Sequence, residues 1–308
     1  MTGDIVIQEV SKRFADHQAL RSVSLEVEPG ELFGLIGPDG AGKTTLMRAI
    51  CTLLLPDEGE ITVRGFSVRS QAGRIRSLIG YMPQRFSLYP DLTVEQNLHF
   101  FADIFQIPAA EKSHRFEQLY RFSRLGPFKK RAAGALSGGM KQKLALSCAL
   151  VHTPEVLILD EPTYGVDPVS RHEFWDILRD IQRRGTTILV STAYMEEADL
   201  CDRVALIFGG RLLAVDSPQQ LKRGYRYPLY ELEGPDLQKT RAFFAGLPQT
   251  RMTQLFGDTV HVSFEHRPSA EDWESWSHQV QGAFRTYRSI QPSIEDIFLD
   301  LSGGSNGK

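Results

Sequence analysis

A glycine-rich segment places the strongest constraint on what this chain can fold into. Glycines allow a curved row of backbone N–H groups to approach polyphosphate oxygens, and a helix beginning at about Lys43 directs its positive end towards them. Lys43 adds a mobile charge for the outer phosphates, and Thr44 offers a hydroxyl to Mg²⁺. The apolar run Leu32–Ile36 before the segment and the helical run Leu46–Leu54 after it complete the context of a phosphate-binding loop. The segment comprises Gly37, Pro38, Asp39, Gly40, Ala41, Gly42, Lys43, Thr44 and Thr45.

The composition is that of an ordinary globular chain with enough core for one large or two modest domains. It has 308 residues, of which 42% are hydrophobic and 24% are charged. The net charge of −3 indicates no basic surface, so we expect no nucleic acid partner. Cys51, Cys148 and Cys201 lack metal-ligand spacing and are typical of buried thiols in a reducing compartment. We expect no signal peptide and no membrane-spanning segment.

Two adjacent acids follow a short, wholly apolar run. Val156–Leu159 is typical of a strand buried on both faces of a parallel sheet, and Asp160 and Glu161 come at its carboxyl end, where open α/β sheets bind ligands. Burying two neighbouring carboxylates is unfavourable unless a metal or a phosphate network uses them. We therefore expect Asp160 to hold Mg²⁺ directly or through water, and Glu161 to orient or deprotonate an attacking water.

Two further segments are weak signals when each is taken alone. Gln84 follows the predicted strand Ile79–Met82, and on its own it is equally compatible with a solvated loop residue that has no function. Ser137, Gly138 and Gly139 precede a helical run and are compatible with an anion site at a helix N-terminus or with a simple helix cap.

At the N-terminus, two segments alternate apolar and polar residues as half-buried strands do. These are Ile5–Val10 and Val23–Val27. Ser11–Phe14 between them is predicted to be a polar turn, in which Phe14 on position alone would plug a hairpin.

The order of the predicted elements favours two units. An α/β unit in residues 1–223, with a helical insertion at about 92–152, is followed by an α+β unit in residues 224–302. The second unit has the order β-α-β-β-α-β plus a tail helix, which is typical of a small ferredoxin-like domain, and it carries no catalytic constellation. We expect residues 303–308 to be disordered.

Five segments, considered together, occur in the order found in one protein family. They are the phosphate loop, Gln84, Leu136–Met140, Val156–Pro162 and Gly165–Pro168. Over roughly Asp4–Leu221 the chain therefore resembles the ATP-binding subunit of ABC transporters. The resemblance implies an α/β fold, the P-loop NTPase cassette of that family, with a mostly parallel core sheet, an antiparallel edge and a helical insertion.

The resemblance also implies roles for single residues. Phe14 stands where the family stacks an aromatic ring on adenine. Gln84 corresponds to the glutamine that touches Mg²⁺ or water and faces the membrane subunit. The expected catalytic residues are Glu161, Lys43 and Gln84, and the expected metal ligands are Thr44, Gln84 and Asp160.

A working site in this family needs two cassettes face to face. Ser137, Gly138 and Gly139 resemble the signature loop, which caps the γ-phosphate of ATP held by the other protomer. Asp167 resembles the aspartate that crosses the same interface. The resemblance therefore implies bound ATP and Mg²⁺ in a dimer, which is either a homodimer or a heterodimer with a second ATPase cassette.

The family also implies a membrane partner. Its cassettes bind integral membrane permease subunits, so the chain is expected as a peripheral protein at the cytoplasmic face of the inner membrane. Ser293–Leu299 is similar to a tail motif of bacterial exporters of the antibiotic-resistance type. This likeness favours export of a small molecule, drug or lipid-like substrate over uptake.

Two positions depart from the family pattern. Asp39 replaces the usual Asn in the phosphate loop and adds a negative charge near the nucleotide. Ala193 replaces the histidine that contacts the γ-phosphate, and Tyr194 is expected to point to the opposite face of the strand. Because removing one preorganised donor typically lowers a rate by about 10²–10³-fold, we expect slow hydrolysis.

Two alternative functions remain open at this stage. Ala193 is compatible with a nucleotide-gated cassette that hydrolyses little itself and pairs with a second, catalytic cassette. The other alternative is a soluble ABC ATPase of translation or DNA repair that is not coupled to transport. Such proteins usually carry two cassettes or a long coiled coil, and the stretch between Gln84 and Leu136 leaves no room for a coiled coil.

Overall fold

The computed structural model describes residues 3–84 and 88–303, which form two compact units. One unit extends to Asp216 and the other begins at Ser217. The sequence pattern predicts this change after residue 223. The earlier boundary arises because the helix Pro218–Gly224 packs against the last helix of the chain, Ile294–Leu301, and therefore belongs to the second unit. Residues 304–308 of the tail lie outside the described residues.

The first unit contains ten strands and six α-helices among its described residues. The strands are β1 (Ile5–Phe14), β2 (His17–Val27), β3 (Leu32–Ile36), β4 (Glu58–Val63), β5 (Phe66–Ser67), β6 (Ile79–Met82), β7 (Val156–Asp160), β8 (Thr187–Thr192), β9 (Arg203–Phe208) and β10 (Arg211–Asp216). The helices are α1 (Lys43–Ile50), α2 (Ala72–Leu78), α3 (Val94–Ile104), α4 (Ala109–Ser123), α5 (Gly138–Ala149) and α6 (Pro168–Gln182). Short 3₁₀-helices lie at Gly126–Phe128, Ala133–Ala135 and Met195–Leu200.

The central sheet has the strand order β10-β9-β3-β8-β7-β6. The pairs β9–β3, β3–β8, β8–β7 and β7–β6 are parallel, and β10 is antiparallel to β9. Every residue of β3, β7 and β8 is buried, as strands covered on both faces require. The predicted α/β fold with a mostly parallel core and an antiparallel edge is therefore confirmed.

A second, antiparallel sheet has the order β2-β1-β4-β5. Here the prediction of a polar turn at Ser11–Phe14 is wrong, because β1 continues through Phe14, which pairs with His17. The turn is only Ala15 and Asp16. Register shifts along the β1–β2 ladder interrupt the alternation of buried and exposed residues, which is why the sequence pattern hid the length of the hairpin.

The helical insertion lies between β6 and β7 and has a hydrophobic cluster of its own. Buried side chains of α3, α4 and α5, among them Leu98, Phe116 and Leu144, form this cluster. A capping box begins α3: the Thr93 hydroxyl accepts from the backbone N–H of Gln96, and the Gln96 side chain accepts from the backbone N–H of Thr93.

The second unit is a four-stranded antiparallel sheet with helices. Its elements are α7 (Pro218–Gly224), β11 (Leu229–Glu233), α8 (Leu237–Ala245), β12 (Thr250–Phe256), β13 (Thr259–Phe264), α9 (Ala270–Gln279), β14 (Thr286–Ser289) and α10 (Ile294–Leu301). The order of the strands in the sheet is β12-β13-β11-β14. An aromatic cluster joins α8 and α9 to one face of the sheet, and it consists of Tyr230, Phe244, Phe264, Trp273 and Trp276.

A buried charged cluster attaches α10 to the other face of this sheet. His261 Nδ1 lies 2.8 Å from Asp296 Oδ1, and His261 Nε2 lies 3.5 Å from Glu231 Oε2. Asp296 is fully buried, and Arg288 pairs with Glu231 on its other side. Burial opposes protonation of His261, but the bonds to Asp296 and Glu231 outweigh it and raise its pKa above the ordinary 6.5. The protonated ring makes the cluster of two acids and two bases neutral.

We predict that the attachment of α10 weakens as the pH rises. Because the folded-state pKa of His261 is raised, its stabilising contribution is fully present below the ordinary pKa and is lost as the pH rises through the folded value. Amide hydrogen exchange on the full chain, corrected for intrinsic rates, should show that the protection of α10 falls as the pH rises above the ordinary pKa of histidine. In His261→Gln that pH dependence should disappear. A parent whose α10 protection stays flat across this range would contradict the assignment.

Candidate nucleotide-binding site

The phosphate loop joins the end of β3 to the start of α1 and packs closely against the chain. Gly42, at the N-cap of α1, has φ +106°, and a Cβ there would lie 2.5 Å from the carbonyl oxygen of Ala19. A Cβ on Gly37 would lie 2.2 Å from the carbonyl oxygen of Ile207. These positions therefore require glycine. Because no side chain caps α1, the N–H groups of its first turn are available to an anion.

The other loop residues lie around this framework. The backbone N–H of Ala41 donates to the Pro38 carbonyl at 3.2 Å, which closes the turn. Asp39 and Gly40 are exposed at its tip, and Thr45 is half-buried in the first turn of α1. The charge of Asp39 thus lies at the solvent-facing end of the loop.

Lys43 is held inside the loop. Its Nζ donates to the carbonyl oxygens of Gly37 and Pro38 at 2.6 and 3.0 Å and lies 3.0 Å from Glu161 Oε1. The side chains of Lys43 and Glu161 are only 3% and 5% exposed. The ion pair is therefore almost completely removed from water.

Glu161 also forms a hydrogen bond with Gln84, which was predicted to belong to the site. Gln84 Nε2 donates to Glu161 Oε2 at 2.8 Å, so both carboxylate oxygens have partners from the chain itself. Glu161 has φ +50°, a left-handed conformation that is uncommon for a residue with a side chain. The structure therefore brings Lys43, Gln84 and Glu161 together.

Asp160 lies beside this triad at the carboxyl end of β7. Its Oδ1 accepts from Thr44 Oγ1 at 3.2 Å and from Ser191 Oγ at 2.7 Å. Its Oδ2 is buried and has no hydrogen-bond partner in the described part of the chain. Burial raises the pKa of the Asp160 carboxyl above its ordinary value, although the bonds from Ser191 and Thr44 oppose that shift.

The unpartnered oxygen of Asp160 fits a hard cation. Mg²⁺ in nucleotide sites is commonly held by one or two carboxylates together with phosphate oxygens and water. Within residues 3–84 and 88–303 no cluster of three or more His, Cys, Asp or Glu side chains could hold a metal by itself. A cation bound by Asp160 and Thr44 would therefore need further ligands from the oxygens of a bound phosphate or from water.

Phe14 stands at the end of β1 with 46% of its surface exposed. Lys12 Nζ lies 5.6 Å from the centre of the ring and is paired with Asp57. The ring is therefore available for stacking, and its contact with adenine stays a prediction.

The remaining predicted site residues form a second group at the starts of α5 and α6. Ser137 caps α5 and accepts from the backbone of Met140, and Asp167 caps α6 and accepts from the backbone N–H of Ser170 at 3.0 Å. Gly139 packs so tightly on Ser170 that a Cβ would lie 2.7 Å from its side chain. Gly138, like Ser137 and Asp167, is exposed.

Ala193 lies just beyond the end of β8 and offers no polar side-chain atom. Because the strand ends at Thr192, the expectation that Tyr194 points away through strand alternation does not apply. The Tyr194 ring instead contacts Arg171, whose guanidinium carbon lies 4.6 Å from the centre of the ring. Arg171 also forms an ion pair with Glu196.

Ser191 is a site residue that the sequence alone does not reveal. A single serine in an apolar strand has no distinguishing local signal. Its contact with Asp160 follows from the register of two strands that are 31 residues apart in the chain, and this register becomes visible only once the strands are paired.

Comparison with known proteins agrees with this geometry. The ABC transporter family model matches residues 20–164. The chain is 39% identical over 302 residues to the Nod factor export ATP-binding protein I of Burkholderia thailandensis, covering 97% of both chains. It is 38% identical over 305 residues to the probable multidrug ABC transporter ATP-binding protein YbhF of Escherichia coli, covering 98% of this chain but spanning only about half, 52%, of that relative.

Solved structures show the same fold. An ATP-binding subunit of an ABC transporter superposes with a TM-score of 0.65 and 30% identity, covering 71% of this chain and 92% of that one. The ATP-binding cassette MJ0796, in a dimeric post-hydrolysis state bound to ADP and Pi, superposes with a TM-score of 0.64 and 25% identity, covering 69% and 98%. The chain therefore belongs to the ATP-binding proteins of the ABC transporter family.

Proposed function

We propose that this chain binds ATP with Mg²⁺, hydrolyses it, and thereby drives a separate membrane permease that exports a small molecule, drug or lipid-like substrate. The observation that carries the proposal is the convergence of Lys43, Gln84 and Glu161, with Asp160 and Thr44 beside them, at one edge of the parallel sheet. Membership of a family of transporter ATP-binding proteins supports the same reading.

The chain's own residues divide the work of binding. The backbone N–H groups of Gly40 to Thr45 and the ammonium of Lys43 bind the phosphates, while Phe14 stacks on the base. Thr44, Asp160 and Gln84 hold Mg²⁺ directly or through water. When bound, Mg²⁺ neutralises charge that develops on the phosphate oxygens.

Glu161 exchanges a partner before it acts as a base. In the structure Lys43 pairs with Oε1 and Gln84 donates to Oε2, so the Lys43 ammonium competes with water for Oε1. When Lys43 turns to the phosphates, Glu161 Oε1 is released. Nucleotide binding thus prepares the base for hydrolysis.

The exposed group at the starts of α5 and α6 supports a dimer through the nucleotide sites. Ser137, Gly138 and Asp167 are all exposed, and the Gly139–Ser170 contact joins the helix starts that carry them, as expected for residues that serve a second cassette. Ala193 lacks the donor that would steady the attacking water, so we propose slow hydrolysis and pairing with a histidine-bearing cassette. A homodimer with low turnover is the alternative.

No helix within the described ranges combines the length and apolar character needed to cross a bilayer. Two observations support a membrane partner. The relatives named above are called export and multidrug transporter ATP-binding proteins. Beside Gln84 an apolar groove of about 350 Å³, lined by Met82, Phe101 and Phe105 among others, lies between the sheet and the insertion. We therefore propose a peripheral position at the cytoplasmic face of the inner membrane.

The transport proposal is tested by capture of the chain from native membranes in mild detergent. Recovery of an integral membrane protein together with the chain is the expected result. Identification of a second cassette in the same complex would favour the heterodimer. Quantitative recovery of the chain without any membrane protein would favour an ABC ATPase that is not coupled to transport.

Glu161→Gln should trap ATP-bound dimers. The amide keeps the shape and the bond with Gln84 but cannot accept a proton, so ATP persists and holds the cassettes together. Light scattering with ATP should show a stable dimer for the variant and a transient one for the parent. Unchanged steady-state turnover in Glu161→Gln would refute the assignment of the base.

Ala193→His should raise ATP turnover. It supplies the absent donor, and one preorganised donor is typically worth about 10²–10³-fold in rate. Steady-state and single-turnover assays on the purified chain would measure the gain. A parent chain that already turns over at about 1–100 s⁻¹ would remove the reason for proposing a histidine-bearing partner.

Lys43→Met should destabilise the nucleotide-free protein by about 3 kcal/mol. Removing one member of a buried ion pair leaves an uncompensated charge on Glu161. Adding Glu161→Gln should recover at least half of the loss in urea denaturation. As a matched control, Arg121→Met breaks the solvent-exposed pair with Glu117 and should leave the urea denaturation midpoint where it is in the parent. A Lys43→Met variant as stable as the parent would show that the pair is not effectively buried.

A further inference from the structure

One side chain of β8 contacts both acidic residues of the site. The parallel register of β7 and β8 pairs Asp160 with Ser191, which is fully buried. Ser191 Oγ donates to Asp160 Oδ1 at 2.7 Å and accepts from the backbone N–H of Glu161 at 3.0 Å. A single hydroxyl therefore links the proposed metal ligand to the proposed base.

The contact with Asp160 determines which carboxylate oxygen is free. Ser191 and Thr44 both donate to Oδ1, while Oδ2 is buried and unpartnered among the residues the structure describes. If Thr44 turns its hydroxyl oxygen to a cation, Ser191 becomes the remaining side-chain donor to Oδ1. It would then hold the plane of the carboxylate so that Oδ2 stays directed at the cation.

The contact with Glu161 supports an uncommon backbone conformation. Glu161 has φ +50°, and its N–H is shared between the carbonyl oxygen of Ser191 at 3.1 Å and the hydroxyl at 3.0 Å. Residues with a side chain keep such a conformation only where their surroundings hold it. Loss of the hydroxyl would leave the carbonyl bond in place, so the turn would be loosened without being released.

We propose that Ser191 is a positioning residue of the ATPase: its hydroxyl orients Asp160 towards the metal and steadies the backbone of Glu161. The inference rests on the proposed function, because it assumes that Asp160 holds Mg²⁺ at a bound nucleotide. It also identifies what β8 contributes to the chemistry. Ala193, two residues further along, has no side-chain donor, whereas Ser191 acts on both acids from within the strand.

The experiment compares Ser191→Ala with Ser191→Thr, which restores a hydroxyl, and with Ser147→Ala. Ser147 is a matched control, since it is equally buried and donates only to the carbonyl of Lys143 within α5. For each variant, the Kd of a fluorescent non-hydrolysable ATP analogue is measured with Mg²⁺ and with EDTA. The ratio of the two values reports the metal-dependent gain in affinity without involving hydrolysis.

Ser191→Ala should reduce the metal-dependent gain by about 10–100-fold, the usual effect of losing a group that orients a metal ligand. Its Kd in EDTA should stay within about twofold of the parent, because the phosphate loop is untouched. Ser191→Thr should recover most of the gain, and Ser147→Ala should behave as the parent. The kcat of Ser191→Ala should fall at saturating Mg·ATP.

Three outcomes separate the claims. If the parent gains affinity from Mg²⁺ and Ser191→Ala keeps that gain, the role of Ser191 is overturned while the proposed function stands. If Ser191→Ala loses affinity equally in Mg²⁺ and EDTA, its role is merely structural and the inference fails. If the parent binds no nucleotide or gains nothing from Mg²⁺, the proposed function itself fails, and the inference falls with it.

Discussion

Parallel hydrogen bonding between β3, β8 and β7 is the constraint on which the site depends. Because neighbouring parallel strands end at the same edge, their carboxyl termini deliver the phosphate loop, Ser191 and the acids Asp160 and Glu161 to one place. Ile36 pairs with Thr192, and Asp160 pairs with Ser191. A shift of one residue in either register would turn these side chains to the other face of the sheet. The chemistry of the site is thus a consequence of strand pairing.

Charge balance explains how so polar a group stays buried. The ammonium of Lys43 balances the charge of Glu161, and Gln84 donates a hydrogen bond to the second carboxylate oxygen of Glu161. The hydroxyls of Thr44 and Ser191 donate hydrogen bonds to Asp160. Buried polar groups are tolerated when each has a partner, and the one oxygen left over is the one that suits a cation. The other carboxylate oxygens of Asp160 and Glu161 therefore have hydrogen-bond or ion-pair partners within the protein, and one carboxylate oxygen remains to coordinate a metal.

How much of this could be predicted depends on whether the signal is local. The phosphate loop and the start of α1 at Lys43 follow from adjacent residues, and the family and the α/β fold follow from the order of motifs. The helix α2 was missed because only Ile75 of its seven residues is buried, which leaves no apolar stripe to detect. The length of β1 was misjudged because its ladder is irregular, and Ser191 escaped because its importance arises from another strand.

The close packing of Gly139 on Ser170 has a mechanical consequence. With no space for even a methyl group between them, the starts of α5 and α6 cannot slide past each other without separating. The positions of Ser137 and Asp167, which cap these helices, are therefore linked through this contact. A displacement of one helix start would therefore press directly on the other, so a partner that contacts either loop would also act on its neighbour.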